Sequence, residues 1–332
     1  MNKVKYIVVD TGSESNRSMM SDIGRLENGV QLSGVYNINN KIFKFLLRLH
    51  FSYSINCKII LPGKSIWKSF MVINNMIKDE NTEYYIIIVN NAIHKLCISD
   101  LNELAKRNNV HLVSLIIDVF NKLPANVRLM IKKTNFEQYY SFQRSDCQKY
   151  GFKFTNQIYS KDKIPNVKEK LKYDVYFVGL EKDRIDEIYK IYCFLESNCI
   201  KCKFKVIINK NMKKRYQKKY PGIEFLNKRV GYNTILNDIA HTKCILEICQ
   251  EGQDGLTMRF YEAIFYNKKL ITNNMSARDS CIFRKNCASV PEERSAIPLQ
   301  TEQSSAGLLI TIGYSAIPAR KFKAICLRCH ST

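Results

Sequence analysis

Near-continuous runs of β-branched and aromatic residues alternate with helical patterns along most of this chain. That alternation narrows the fold more than any other feature. Residues 4–10, 58–61, 84–90 and 110–117 read as strands, each apolar along its length as expected where both faces are covered. Helical patterns fill the intervals at 66–77, 99–108 and 121–133. Strands and helices in this order imply an open, doubly wound parallel sheet.

Residues 155–172 (TNQIYSKDKIPNVKEKLK) interrupt the rhythm. They are polar, rich in lysine and contain Pro165, which reads as a linker. A second series follows, with strands at 174–179, 204–209, 223–226, 244–249 and 269–272 and helices at 182–198, 212–220, 233–241 and 258–267. Within 182–198, Ile185, Ile188, Tyr189, Tyr192 and Leu195 recur at helical spacing. At 332 residues the chain can hold two domains with separate cores. The expected organisation is an N-terminal Rossmann-like domain over 1–154, a linker over 155–172 and a C-terminal Rossmann-like domain over 173–288. The fold class is α/β, with two doubly wound domains facing a cleft. Ligands of such sheets bind beyond the carboxyl ends of the strands.

Lys and Arg number 52 against 30 Asp and Glu, a net charge of +22. So basic a chain suits an anionic partner: nucleic acid, an acidic membrane surface or phosphorylated substrates. No helix-turn-helix, zinc or RNA-binding signature accompanies the charge, which argues against nucleic acid. No apolar run reaches the roughly 20 residues of a membrane span, and residues 1–10 lack a signal-peptide pattern. The expected location is the cytoplasm, where the 12 cysteines stay mostly reduced. Cys199 and Cys202 form a C-x-x-C with no partner pair at zinc spacing. Cys326-x-x-Cys329-His330 matches a haem-attachment pattern that requires export. Both read as chance matches, so neither a metal site nor a cofactor is expected.

Residues 249–274 (CQEGQDGLTMRFYEAIFYNKKLITNN) carry the chemistry. They leave a strand, pass through Gly252 and Gly255, enter a helix near Thr257 and reach a new strand at Lys269. Glycines let a backbone approach a ligand closely, and a helix N-terminus offers unpaired N–H groups to a phosphate. Arg259 and Glu262 fall three apart and share a face, with Met258, Tyr261 and Phe265 expected on the buried one. A nucleotide-sugar suits that pair, the cation taking diphosphate and the carboxylate taking ribose or sugar hydroxyls. A solvated ion pair beside an ordinary strand-to-helix loop fits the spacing equally well. Gly179 at a strand end and Arg184 at the next helix start form a second candidate phosphate contact; a helix-start arginine in solvent is the plain alternative.

The same stretch resembles the C-terminal signature of bacterial glycosyltransferases of the two-Rossmann-domain (GT-B) type, in particular a group encoded with capsule and lipopolysaccharide polysaccharide genes. The group's Gln-x-Gly-Gln-x-Gly-Leu-Thr-x-Arg-x-x-Glu-Ala run stands here as Gln250, Gly252, Gln253, Gly255, Leu256, Thr257, Arg259, Glu262 and Ala263, followed by Lys268-Lys269-Leu270-Ile271-Thr272. Residues 140–154 (YSFQRSDCQKYGFKF) and 174–184 (DVYFVGLEKDR) resemble the close of that group's first domain and the opening of its second. The resemblance covers roughly 136–279; over 1–135 only the strand–helix order agrees. It implies a hexosyltransferase-like enzyme that moves a sugar from a nucleotide-sugar to a growing surface polysaccharide or lipid-linked oligosaccharide, and because no Asp-x-Asp stands in a suitable loop the expected transfer is metal-independent. The implied donor-binding residues are Gly179, Arg184, Gln250, Gly252, Gln253, Gly255, Thr257, Arg259 and Glu262. One departure concerns the retaining E-x7-E pattern. Asp254 and Glu262 keep its spacing, but the step from Gly255 to Glu262 is longer than usual.

An inverting enzyme needs a base for the acceptor hydroxyl. Asp10, before Thr11-Gly12-Ser13, and Asp118 both end strands and are the candidates, with His94 and His111 as further alternatives and a structural capping role open to either Asp. The helix expected over 39–51 places Lys41, Lys44 and Arg48 along one face of an otherwise Ile, Phe and Leu helix. That pattern suits an anionic membrane, as does the basic run at 210–219, and implies peripheral attachment to the inner face of the plasma membrane. A solvated basic face is the alternative. Two other functions stay open: a non-catalytic Rossmann-like subunit and a basic nucleic-acid-binding protein. Residues 289–332 form an atypical tail, for Ala occurs five times in 1–276 and seven times in the last 56 residues. Since 291–307 shows no period, an unrelated or frame-shifted replacement of the C-terminus is expected, and deletion of 291–332 should change stability little.

Overall fold

The structure, a computed structural model, describes residues 3–160, 171–182, 184–278, 280 and 310–312. It divides into two compact units, residues 1–162 and 163–332. Each unit is built on its own six-stranded sheet.

In the first unit β1 (Lys3–Val9), β2 (Gly29–Leu32), β3 (Thr82–Val89), β4 (Val110–Ile116), β5 (Gln138–Ser141) and β6 (Lys153–Phe154) are all parallel. Their order is β2-β1-β3-β4-β5-β6. Ile7, Ile86 and Leu112 sit in register across the three central strands and are essentially inaccessible. Each such side chain contributes about 1.5–3 kcal/mol by leaving water. The chain passes from β1 outward to β2, then returns to place β3 on the other side of β1. The carboxyl ends of β1 and β3 therefore flank the point where strand order reverses, the usual ligand position in such sheets.

Two expectations change here. Residues 58–61 are not a strand: the amides of Lys58 and Ile59 bond back to Ile55, prolonging the turn that follows the short helix Tyr53–Asn56. The strand beside β1 is instead β2. Residues 66–77 do not form one helix but a 3-10 segment, Lys64–Phe70, and a short helix, Val72–Met76.

The second unit contains β7 (Tyr173–Leu180), β8 (Cys202–Ile207), β9 (Glu224–Leu226), β10 (Thr242–Glu247), β11 (Lys269–Thr272) and β12 (Ile310–Ile312). The order is β12-β11-β10-β7-β8-β9, parallel except for β12, which runs antiparallel to β11. Read from β9, this is the 3-2-1-4-5-6 arrangement of dinucleotide-binding sheets, with its reversal between β7 and β10. Helix Ile185–Ser197 lays Ile185, Ile188 and Leu195 on a core that includes Phe177, Phe204 and Phe225, while Tyr189 and Tyr192 are half-buried at its margin. Of the expected tail, only β12 falls within the described residues. The segment 291–307 and the Cys326, Cys329 and His330 pattern lie outside them. No helix among the described residues is long and apolar enough to cross a membrane.

Candidate functional site

Gly179 and Arg184 meet at the strand-order reversal of the second unit. Arg184 stands at the start of helix Ile185–Ser197 and turns its guanidinium back over the sheet. Nη2 donates to the Leu180 carbonyl at 3.2 Å, and Nη1 donates to the carbonyl of Ile248. One side chain thus joins the carboxyl ends of β7 and β10. Its Nε is buried and has no hydrogen-bond partner among the described residues. Burial lowers the Arg184 pKa, yet a guanidinium stays protonated in proteins, so a fixed positive charge with a spare donor occupies the reversal. Gly179 makes the approach possible: a Cβ there would lie 3.2 Å from Nη2.

The loop after β10 is braced from the segment after β11. The Cys249 amide donates to the Asn273 side chain at 2.7 Å, and the buried Asn274 donates to the Gly255 carbonyl at 2.9 Å. Ser276 donates to the Asp254 carbonyl. At the tip, Gln253 closes a turn onto the Gln250 carbonyl at 3.1 Å. Gly252 adopts φ +75, a left-handed conformation, with nothing within 4 Å of a Cβ position. The side chains of Gln250 and Gln253 are half-exposed and make no side-chain hydrogen bond among the described residues. This rim offers free donors and acceptors on a supported backbone.

Thr257, Arg259 and Glu262 point inward instead. Glu262 is 0% exposed, with one oxygen accepting from the Tyr232 hydroxyl at 3.0 Å and the other paired with Arg259. Burial pushes the Glu262 pKa up, while Arg259 and Tyr232 pull it back. The Thr257 hydroxyl caps helix Met258–Phe265 by accepting from the Arg259 amide at 3.1 Å, and it donates to Glu247. Thr272 donates to the other oxygen of Glu247. The pair is therefore neither solvated nor open to a sugar; it belongs to a buried lock that fixes the loop and its helix. The expected helix face also shifts: Phe260, Tyr261 and Ala263 are buried, whereas Met258 and Phe265 are only half-buried. Because Glu262 is inside, it shares no open face with Asp254.

Glu247 escaped the sequence reading. Its signal was a lone carboxylate inside the apolar run 244–249, an ionisable group that such a strand holds only with partners.

Those two aspartates now separate. Asp10 is 0% exposed; one oxygen accepts from the Gly12 amide, the other from Gln31 at 2.8 Å and Ser33 at 3.1 Å. Its carboxylate fastens the loop after β1 to β2. Asp118, half-exposed beyond β4, accepts from Asn91 at 2.7 Å and Asn90 at 3.3 Å through one oxygen only. Asn90 in turn accepts from the Ile117 amide at 2.9 Å, which ties the end of β3 to that of β4. His94 is buried, hydrogen-bonded to the Asn91 carbonyl, and pushed down to about 4 by burial, so it stays neutral. His111 has two neighbours that the sequence did not disclose, Glu83 at 2.8 Å and Glu137 at 2.6 Å. It lies at the amino end of β4, roughly 20 Å along the strand from Asp118.

Lys41, Lys44 and Arg48 are exposed on helix Lys41–His50. Among the described residues no group of three or more His, Cys, Asp or Glu side chains is placed to hold a metal ion.

No protein-family model and no curated protein sequence matches the chain. Similar solved structures include the DNA-modifying enzyme β-glucosyltransferase, 12% identical with 81% of this chain and 79% of that one covered at a TM-score of 0.41. UDP-GlcNAc 2-epimerase from Neisseria meningitidis is 11% identical, with 74% and 76% covered at 0.40. A spinosyn rhamnosyltransferase is 8% identical, with 80% and 79% covered at 0.36. At such scores the fold is read from the strand order itself.

Proposed function

We propose that the chain is a glycosyltransferase that binds a nucleotide-sugar on its second unit and passes the sugar to a growing surface polysaccharide or lipid-linked oligosaccharide. The observation that carries this reading is Arg184, a buried cation with an unused Nε, bridging the carboxyl ends of β7 and β10 where sheets of this order take nucleotides. The resemblance over 136–279 supports the reaction class and the hexosyl donor, and the lack of an Asp-x-Asp in a suitable loop supports metal-independent chemistry.

Arg184 faces the diphosphate, and Gln250, Gly252 and Gln253 meet the rest of the donor along the open rim. Gly255, Thr257, Arg259 and Glu262 keep that rim in place and position it. The attacking hydroxyl gives up its proton to a carboxylate base, and of the two candidates on the first unit Asp118 has an oxygen to spare where Asp10 has none. The hydroxyl oxygen bonds to the anomeric carbon as the bond to the diphosphate breaks. The charge that develops on the leaving diphosphate falls to Arg184.

Thermal-shift titration tests the donor site. UDP or GDP, alone or as the sugar conjugate, should raise the melting temperature of the parent chain, and duplex or single-stranded oligonucleotides should not. Arg184→Gln should remove the response. Since Arg184 also joins two strands, the half-exposed pair Gln250→Ala and Gln253→Ala serves as the second variant, with the unliganded melting temperature unchanged and the nucleotide response weakened. A parent chain indifferent to every nucleotide overturns the assignment.

A further inference from the structure

Helix Lys41–His50 contains no buried residue although more than half of it is large and apolar. Its side chains fall into three stripes at helical spacing. Leu47 and His50 mark the stripe nearest the protein, and Phe43, at the far end of the same stripe, is 48% exposed: Leu47 packs on the small cluster of Ile38, Phe51 and Trp67, and His50 bonds the Pro62 carbonyl at 2.6 Å and Trp67 at 3.0 Å. Lys41, Lys44 and Arg48 form the second stripe, exposed and without an ion pair among the described residues. Ile42, Phe45, Leu46 and Leu49 form the third, with exposures of 68%, 59%, 45% and 45%. A surface helix ordinarily turns its apolar stripe to the core; here that stripe faces water. Ile59 and Ile66, on the segment that His50 and Trp67 tie to the helix end, are exposed to the same degree.

We propose that this helix seats the first unit on an anionic lipid bilayer, with Ile42, Phe45, Leu46 and Leu49 among the acyl chains and Lys41, Lys44 and Arg48 at the headgroup phosphates. Charge selects the occupant. Residues 28–78 contain seven Lys and Arg and no Asp or Glu at all. Of these, Lys68 pairs with Glu103 and Lys64 is buried, which leaves the helix stripe, Lys58 and Lys78 outward. A second copy of the chain would set this acid-free surface against itself. The segment 313–332 carries Arg320, Lys321, Lys323 and Arg328 and no acid, so it matches no better. Only an acidic, apolar partner satisfies both stripes together, and an anionic bilayer presents both at one depth. Lipid binding by this helix is independent of donor binding by the second unit.

Flotation of the full chain with phosphatidylcholine vesicles, with or without phosphatidylglycerol, tests the proposal. The parent chain should float with the anionic vesicles only. Lys41→Glu, Lys44→Glu and Arg48→Glu together should weaken binding roughly a hundredfold, and Phe45→Ser with Leu46→Ser should abolish what survives in high salt. These positions are exposed, so both variants should keep the parent's unliganded melting temperature. In a Phe45→Trp variant, emission above the constant background of Trp67 should move to the blue on anionic vesicles and be quenched by brominated acyl chains. Equal binding to neutral vesicles, or emission from the introduced indole that ignores the lipid, would overturn the proposal. A lipid-free dimer dissolved by Phe45→Ser and Leu46→Ser would overturn it in favour of self-association.

Discussion

Glu262 is fully buried with both oxygens engaged, and the cost of removing it follows. Glu262→Ala leaves the Tyr232 hydroxyl without its acceptor and strands the Arg259 guanidinium, whose side chain is only 19% exposed. Breaking a buried pair from one side costs about 3–5 kcal/mol, so the urea midpoint should fall sharply. Glu262→Gln keeps an acceptor in place and should lose less. An alanine variant within about 1 kcal/mol of the parent would mean that the carboxylate is free for a ligand. His111 makes a second prediction. Burial lowers its pKa, but the bonds to Glu83 and Glu137 outweigh that, and the net shift is upward. A raised folded pKa means that the pairing stabilises fully below the unfolded value, near 6.5, and that this contribution fades as pH rises through the folded value. The stability difference between the parent and His111→Asn should therefore be larger at pH 6 than at pH 8. An NMR titration placing the His111 pKa at or below 6.5 would contradict it. Spacing alone shows that Arg259 and Glu262 can meet, not which way they face. Rotation of the helix is set by Phe260 and Ala263 against the sheet. Glu247 is harder still to see, since its partners Thr257 and Thr272 stand ten and 25 residues later.

Elements legible in the sequence are those covered on both faces. β3, β4, β7, β10 and β11 each carry a buried apolar stretch at their centre, broken only by single residues such as Ser114, and their expected bounds lie within a few residues of those observed. β2, β5 and β6 stand toward or at a sheet margin and carry Gln31, Gln138 and Lys153, so no apolar run betrays them. The opposite error at 58–61 has the opposite cause: Ile59 is apolar for a surface rather than for a core, and a sequence does not distinguish the two. β12 brings a prediction of its own. Pairing Ile310, Thr311 and Ile312 with Thr272, Ile271 and Leu270 covers the free edge of a strand whose Leu270 and Ile271 are deeply buried. In hydrogen exchange, amides of 310–312 should be at least tenfold slower than in an unstructured peptide. β12 reverses the expectation that deleting 291–332 changes little: the deletion should speed exchange in β11 and weaken the nucleotide response, because Thr272 and Asn274 hold Glu247 and Gly255. Random-coil exchange at 310–312 would mean that β11 is the true edge and that the tail adds nothing.

At the scale of the molecule, the two sheets share no strand, and each is made from one uninterrupted stretch of chain. Every group proposed to meet the nucleotide, from Arg184 to Gln253, belongs to the second stretch, as do the partners that brace them, Asn273, Asn274 and Ser276. Donor binding should then be a property of that unit alone. Each stretch exceeds 150 residues, long enough to bury its own core. Residues 163–332 produced alone should thus keep the nucleotide-induced stabilisation of the full chain. At a ligand concentration a hundred times Kd this amounts to about 2.7 kcal/mol, or roughly 5–10 °C in Tm for a domain of this size. Residues 1–162 should show none. If both halves fold but neither responds, while the full chain does, donor binding is not a property of the second unit alone and Arg184 is only part of the donor's site. If the first half responds by itself, the donor belongs at the reversal between β1 and β3, and Asp118 becomes a donor-side residue rather than the acceptor's base.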